Sequence, residues 1–186
     1  MIVFKAHDTV YFASPMKRHN FLHYAKVDYT FEENADMWHI NDGKGTIVMM
    51  YAPNMRIIDL LRYSDVFDGE FSKEGILKMA DNIKKLAKGT NCFAKPGANA
   101  LTFVIARGNR AFRAKVNGAI MELGEFESFG GDSPTIEAIY EHCKDISDIE
   151  LRMRTLFDKA CEIHNCQEYP IAIINTKDDT YTLLEK

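Results

Sequence analysis

Short β-type runs open and close this chain, and blocks of helical periodicity lie between them. Met1 to Lys5 and Thr9 to Ser14 are β-favouring runs separated by Ala6-His7-Asp8, a spacing that predicts an opening hairpin. A second hairpin is predicted from Asp36 to Asn41 and Thr46 to Ala52 around Asp42-Gly43-Lys44-Gly45, whose glycines can take the positive φ of a turn; Pro53-Asn54 then punctuates the chain. His19 to Asn34, between the two hairpins, is mixed in character. Ile57, Ile58, Leu61 and Tyr63, and then Ile76, Leu77, Ala80, Ile83, Leu86 and Ala87, recur at the spacing of one helical face, so two consecutive helices are predicted. Ser72 with Glu74 begins the second, and Lys88-Gly89 ends it with a cation at the negative pole and a residue that turns left-handed without strain.

The period then changes. Ala100 to Ala106 is a nearly continuous apolar strand, Arg107-Gly108-Asn109 turns it into Arg110 to Val116, and Asn117-Gly118 leads to a strand read as one piece from Ala119 through Phe129. Gly130-Gly131-Asp132-Ser133-Pro134 breaks the sheet and opens a helix through Cys143, with Asp132 or Ser133 as its cap and Pro134 tolerated in the first turn. A further helix is predicted from Asp148 to His164, and Tyr169 to Asn175 with Asp179 to Leu184 make a closing strand pair around Lys177-Asp178. The order ββ, ββ, αα, βββ, αα, ββ predicts an α+β layered fold of antiparallel hairpins rather than a doubly wound parallel sheet.

Composition narrows the function classes. At 186 residues with 46% hydrophobic content the chain suffices for one folded domain over residues 1–186, and no Pro/Gly/Ser linker or charge block divides it. The 23 Lys+Arg against 27 Asp+Glu give a net charge of −4, which provides no bulk attraction to nucleic acid. Apolar runs such as Thr46 to Ala52 fall short of the ~18 residues that cross a bilayer. Met1-Ile2-Val3-Phe4-Lys5 lacks the features of a secretory leader, so a cytoplasmic location is expected. Cys92, Cys143, Cys161 and Cys166 form no CxxC pair and are expected to be reduced thiols.

In their order, these motifs resemble the proteasome β-subunit and HslV family of the amino-terminal-nucleophile (Ntn) hydrolase fold. The resemblance runs through the opening hairpin Ile2-Val3-Phe4 to Val10-Tyr11-Phe12-Ala13 and the second hairpin Met37-Trp38-His39-Ile40-Asn41-Asp42 to Ile47-Val48-Met49-Met50. It continues through the helix after Pro53, the strand Phe103-Val104-Ile105-Ala106, the Val116-Asn117-Gly118 turn and Phe129-Gly130-Gly131-Asp132-Ser133 entering a helix. It implies a four-layer αββα sandwich, two antiparallel sheets flanked by helix pairs.

The family's chemistry requires a threonine, serine or cysteine as first residue of the mature chain, with its own α-amine as base. Met1 and Ile2 stand there instead, and neither side chain can attack a carbonyl. On the same resemblance the family aspartate falls near Pro15, the activating lysine near Asp36, with Lys26 or Lys44 as substitutes in another register, and the glycine-turn serine at Gly131, two positions from Ser133. The implied reading is a catalytically inactive member with no catalytic residue, Met1, Ile2, Pro15, Asp36 and Gly131 being vestigial positions. Gly45-Thr46 resembles the junction at which β precursors cut themselves, so a threonine peptidase starting at Thr46 stays open beside it, as do Ser14 or Ser133 acting in place.

Other constellations have plainer readings. His19 and His23 stand at i and i+4 without the glutamate of an HExxH zinc site. Cys161, His164 and Cys166, near His142-Cys143, offer soft ligands at a spacing that matches no finger, so no metal and no cofactor is expected. Lys84, Lys85, Lys88 and Lys95 read as a solvated helix face, and Arg113 and Lys115 as the outward side of a strand beside Arg107 and Arg110, so nucleic acid is not an expected partner. Gly130-Gly131 before a helix reads as a cap rather than an anion cradle. The family resemblance implies a homo-oligomer or a protein partner, and an adaptor or inhibitor mimicking a protease subunit fits the same residues. Leu60, Leu61, Tyr63, Met153, Leu156 and Phe157 are candidates for core or interface.

Overall fold

The computed structural model describes residues 1–15, 19–22, 37–41, 44–50, 60–61, 63–88, 102–116, 118–130, 133–164 and 169–186, and of residues 19–22, 37–41, 46–50 and 181 the backbone only. Its strands are β1 (Ile2–Ala6), β2 (Thr9–Pro15), β3 (His19–Leu22), β4 (Met37–Asn41), β5 (Thr46–Met50), β6 (Thr102–Arg107), β7 (Arg110–Lys115), β8 (Ile120–Glu122), β9 (Phe126–Ser128), β10 (Ile171–Asn175) and β11 (Thr180–Leu184). Its helices are α1 (Lys73–Lys88), α2 (Ser133–Cys143) and α3 (Ile149–His164), with a 3-10 turn at Asp65–Phe67. They form a five-stranded sheet in the order β11-β10-β2-β1-β9 and a six-stranded sheet in the order β3-β4-β5-β6-β7-β8. The expected α+β class is observed.

The central strands alternate between two apolar environments, which is why they read as continuous apolar runs. In β1, Ile2 and Phe4 enter a core shared with α2 and α3, whereas Val3 enters a second core shared with β6 and β7. β10 divides likewise, with Ile171 and Ile173 towards the helices and Ile174 away from them. In the other sheet Val104, Ala106 and Ala111 join Val3, Val10 and Phe12, while Phe103, Ile105 and Phe112 turn to a third core beneath α1. One core thus lies between the sheets, and each sheet also packs on helices. Met153, Leu156 and Phe157 of α3 and Leu61 are core, whereas Tyr63 is 79% exposed.

Turns and caps follow local chemistry. His7 and Asp8, both with positive φ (49 and 57), make the two-residue turn from β1 to β2, and Gly108 at φ 60 does so between β6 and β7. Ser72 Oγ accepts the Gly75 amide at 3.1 Å, capping α1 as expected, and Asp148 Oδ1 accepts the Leu151 amide at 2.8 Å at the start of α3.

Three expectations change. Ala119 through Phe129 is not one strand: β8 pairs with β7 in the six-stranded sheet and β9 with β1 in the other. The crossing is made at Leu123, which is 3% exposed in the inter-sheet core and whose amide bonds the Ala111 carbonyl at 2.9 Å. One buried side chain thereby joins the sheets. His19–Leu22, in a stretch that has no clear period, forms β3 and lies parallel to β4, so the pairing is not wholly antiparallel. Leu77, read as part of the buried face of α1, is 49% exposed, because the six-stranded sheet covers the Ile76-Met79-Ala80-Ile83-Ala87 stripe, with Leu86 half-buried at its edge, and leaves Leu77 outside it. Of the helix expected at 57–63, residues 60–61 are helical. Asp42-Gly43, Pro53-Asn54, Gly89, Asn117 and Asp132 lie outside the described residues.

α3 is tied to the closing sheet by Tyr169, whose hydroxyl donates to Asp158 Oδ1 at 2.5 Å. Burial first, and then the bond to this carboxylate and its negative charge, push the Tyr169 phenol well above its ordinary range. Burial raises Tyr11 and Tyr140 in the same direction. Because the folded-state phenols are raised, their contribution is full below the unfolded tyrosine pKa of ~10 and is lost as pH rises above it, the unfolded chain releasing its protons first. Urea midpoints should therefore drop between about pH 8 and about pH 11, and Tyr169→Phe should flatten that drop. An unchanged slope in Tyr169→Phe would remove Tyr169 as its source.

Candidate functional site

The start of β1 is the position to which the resemblance assigns a nucleophile. The Met1 amine donates to the Phe129 carbonyl at 3.2 Å, and the Phe129 amide returns a bond to the Met1 carbonyl at 2.8 Å, extending the β1–β9 ladder by one rung. Met1 and Phe129 both pack on the inter-sheet core. Ile2 is 2% exposed and faces Ser128 across the ladder on one side and Ala13 on the other. The Arg113 guanidinium lies 5.7 Å over the Phe129 ring, with Nη1 3.4 Å from Glu127 Oε1.

Ser128 and Glu137 are residues that the sequence reading missed. The Ser128 hydroxyl, 8% exposed, lies 3.1 Å from both Glu137 Oε1 and the Ser133 carbonyl. It has one proton to donate, and the negatively charged carboxylate is the stronger acceptor. The pair braces β9 against the first turns of α2. Its only sequence signal is a serine near the end of the run from Ala119 through Phe129 and a glutamate in the helix predicted after Gly130-Gly131. Ser133 Oγ donates to the Gly130 carbonyl at 2.8 Å, closing the turn in which Gly130 takes a φ of 134.

Glu137 also lines a groove of about 1020 Å³, together with Lys5, Glu125, Glu141, Asp145 and Arg152. Arg152 is 7% exposed and donates from Nε to the Ile146 carbonyl at 2.7 Å. Glu141 pairs with Lys144 at 2.7 Å. The lining mixes both signs, and its one serine, Ser147, makes no hydrogen bond to a base among the described residues.

The path of the chain is recorded in solved proteins. It superposes on Thiobacillus denitrificans BPH in complex with epoxomicin with a TM-score of 0.59, covering 99% of this chain and 97% of that one at 14% identity. A second Thiobacillus denitrificans BPH structure gives a TM-score of 0.58 over 99% and 96% of the two chains at 13% identity. Eukaryotic HslV from Trypanosoma brucei gives 0.54 over 94% and 98% at 14% identity. The chain has the HslV-like fold. No family model matches it, and no curated protein does. Identity this low carries the fold and leaves the chemistry of the site to its own residues.

Within the HslV-like fold the candidate residues fall in different places. Pro15 ends β2, buried, opposite Ile171. Ser14, 0% exposed, sits one residue earlier opposite Ala172, with no surface open to a substrate. Lys44 forms an ion pair with Asp68 just after the 3-10 turn, and its bond holds the Asp68 carboxyl below the usual range. Thr46 begins β5, paired with Asn41 on one side and Ala106 on the other. Lys26, Asp36, Gly131, His23, Cys92, Lys95 and Cys166 lie outside the described residues. Cys143 is buried, which pushes its thiol up and away from reactivity, and Cys161 is a half-buried free thiol. Among the described residues no group of three or more His, Cys, Asp or Glu could hold a metal, and no helix is long and apolar enough to cross a membrane.

Proposed function

We propose that the chain is a non-hydrolytic HslV-like subunit that works in the cytoplasm by assembling with copies of itself or by binding a protein partner. It folds as one domain over residues 1–186, a four-layer αββα sandwich, and Met1, Ile2, Pro15, Asp36 and Gly131 are remnants of a site its relatives use. The observation that carries this reading is β1 itself: Ile2–Ala6 reads IVFKA, with neither hydroxyl nor thiol, and Ile2 is 2% exposed. A covalent nucleophile needs a lone pair that a neighbouring base can free and a path to the substrate carbonyl. A buried aliphatic side chain has neither.

The competing reading, a threonine peptidase starting at Thr46, is opposed by the sheets. Cleavage after Gly45 would detach β1 and β2, which supply Phe4 and Phe12 to two of the three cores. Gly45 is itself packed so closely that an added Cβ would lie 2.2 Å from the Ala106 carbonyl oxygen, so the glycine is accounted for by close approach of β6. An adaptor mimicking a protease subunit is the partner-binding version of the same proposal. Intact-mass measurement before and after incubation with epoxomicin tests it. The expected spectrum holds one unmodified full-length species. A chain beginning at Thr46, or any covalent adduct, would make the peptidase reading the better one.

A further inference from the structure

The helices on the two sheets carry opposite charge. α1 exposes Lys73, Lys78, Lys84, Lys85 and Lys88 against Glu74 and Asp81. α2 and α3 expose Glu137, Glu141, Glu150, Asp158 and Glu162 against Lys159 and His142, while Arg152 is buried and Arg154, half-buried, donates to the Glu185 carbonyl. Lys78 is neutralised by Glu74 at 3.0 Å, whereas Lys84, Lys85 and Lys88 make no ion pair among the described residues, and neither does Glu162. Asp158 accepts the Tyr169 hydroxyl and keeps a second oxygen for another donor.

The two 16-residue helices also share a pattern. On α1, Leu77, Lys84 and Lys88 stand at i, i+7 and i+11, one narrow stripe of a helix; on α3, Leu151, Asp158 and Glu162 stand at the same spacing. Each stripe begins on an exposed leucine, 49% at Leu77 and 53% at Leu151. α1 packs on the six-stranded sheet and α3 on the five-stranded one, with the inter-sheet core between, so the stripes cannot meet within one molecule.

Resting on the assembly reading above, we propose that α1 of one copy docks in parallel along α3 of a second copy. Leu77 then meets Leu151, Lys84 meets Asp158 and Lys88 meets Glu162. Lys85 and Lys159, both at i+8, fall on opposite flanks of a parallel pair and do not collide. The leucines supply the dry centre, and the charge pairs set direction and register. Because the two patches differ, the contact is heterologous: each copy offers one of each, and the assembly closes into a ring or runs on as a filament.

Native mass spectrometry and light scattering on the full chain test this. The wild type is expected to form multimers at about 0.05 M salt and to associate roughly 10-fold more weakly at about 0.5 M, where screening is short-ranged. Lys84→Glu/Lys88→Glu makes both faces acidic, and Asp158→Lys/Glu162→Lys makes both basic. Each should be monomeric alone, and an equimolar mixture should reassemble with alternating subunits. If loss of the Tyr169 partner lowers the melting temperature of the second variant, Lys88→Glu with Glu162→Lys gives the same complementation. A wild-type multimer whose size neither reversal changes would overturn this contact while leaving assembly intact. A wild type that stays monomeric at every concentration would overturn both.

Discussion

Phe12→Ala is expected to destabilise the fold by about 3–5 kcal/mol, read as a lower urea midpoint with an unchanged slope. Phe12 is fully buried in the core between the sheets, on the central strand β2, with Val3 beside it on β1 and Ile174 on β10. Its ring faces Val104, Ala106 and Ala111 of the other sheet within the same cluster, residues too small to close over the vacated space. Both sheets are held at their spacing by further cores on their outer sides, so the cavity cannot collapse cheaply. Leu183→Ala, at a position 40% exposed on β11, is the matched control and should stay within about 0.5 kcal/mol of wild type. A loss under about 1 kcal/mol in Phe12→Ala would mean that the two sheets do not depend on this contact.

Gly75→Ala should cost about 2–4 kcal/mol although alanine is the better helix former. An added Cβ at Gly75 would lie 1.9 Å from the Glu70 carbonyl oxygen, a backbone atom that no rotamer change can move. Relieving the clash displaces residues 70–72 and with them the Ser72 hydroxyl that caps α1. It also strains Gly69, whose carbonyl accepts from Arg107 Nη1 at 3.3 Å. The cost is the sum of overpacking and a lost cap. Gly124→Ala, where an added Cβ meets nothing within 4 Å, should be neutral within about 0.5 kcal/mol by the same thermal or urea assay. Equal stability of the two variants would refute the close approach.

Much of the fold was legible because its signals are local. His7-Asp8 and Gly108-Asn109 turns, the Ser72 cap and the helical period of Ile76, Ala80, Ile83 and Ala87 each depend on a few neighbouring residues. The break of Ala119–Phe129 into β8 and β9 was not legible, because nothing in the run changes period; the strand changes sheets where Leu123 finds a core made by residues far away in sequence. The Ser128–Glu137 brace was hidden for a related reason. A strand-end serine and a helical glutamate each have an ordinary local reading, and only the angle between β9 and α2 brings them to 3.1 Å.

By itself the sequence determined the α+β class, the opening and closing hairpins, the helices α1, α2 and α3 in their order, and the absence of hydroxyl and thiol groups from Ile2–Ala6, since these rest on residue identity and short-range period. Only the tertiary structure decided which face of each two-sided strand meets helices and which meets the other sheet. It alone set Lys84 and Lys88 on one side of the sheets and Asp158 and Glu162 on the other. Strand alternation says that two faces exist and cannot say what covers each, because that depends on how residues distant in the chain pair and stack.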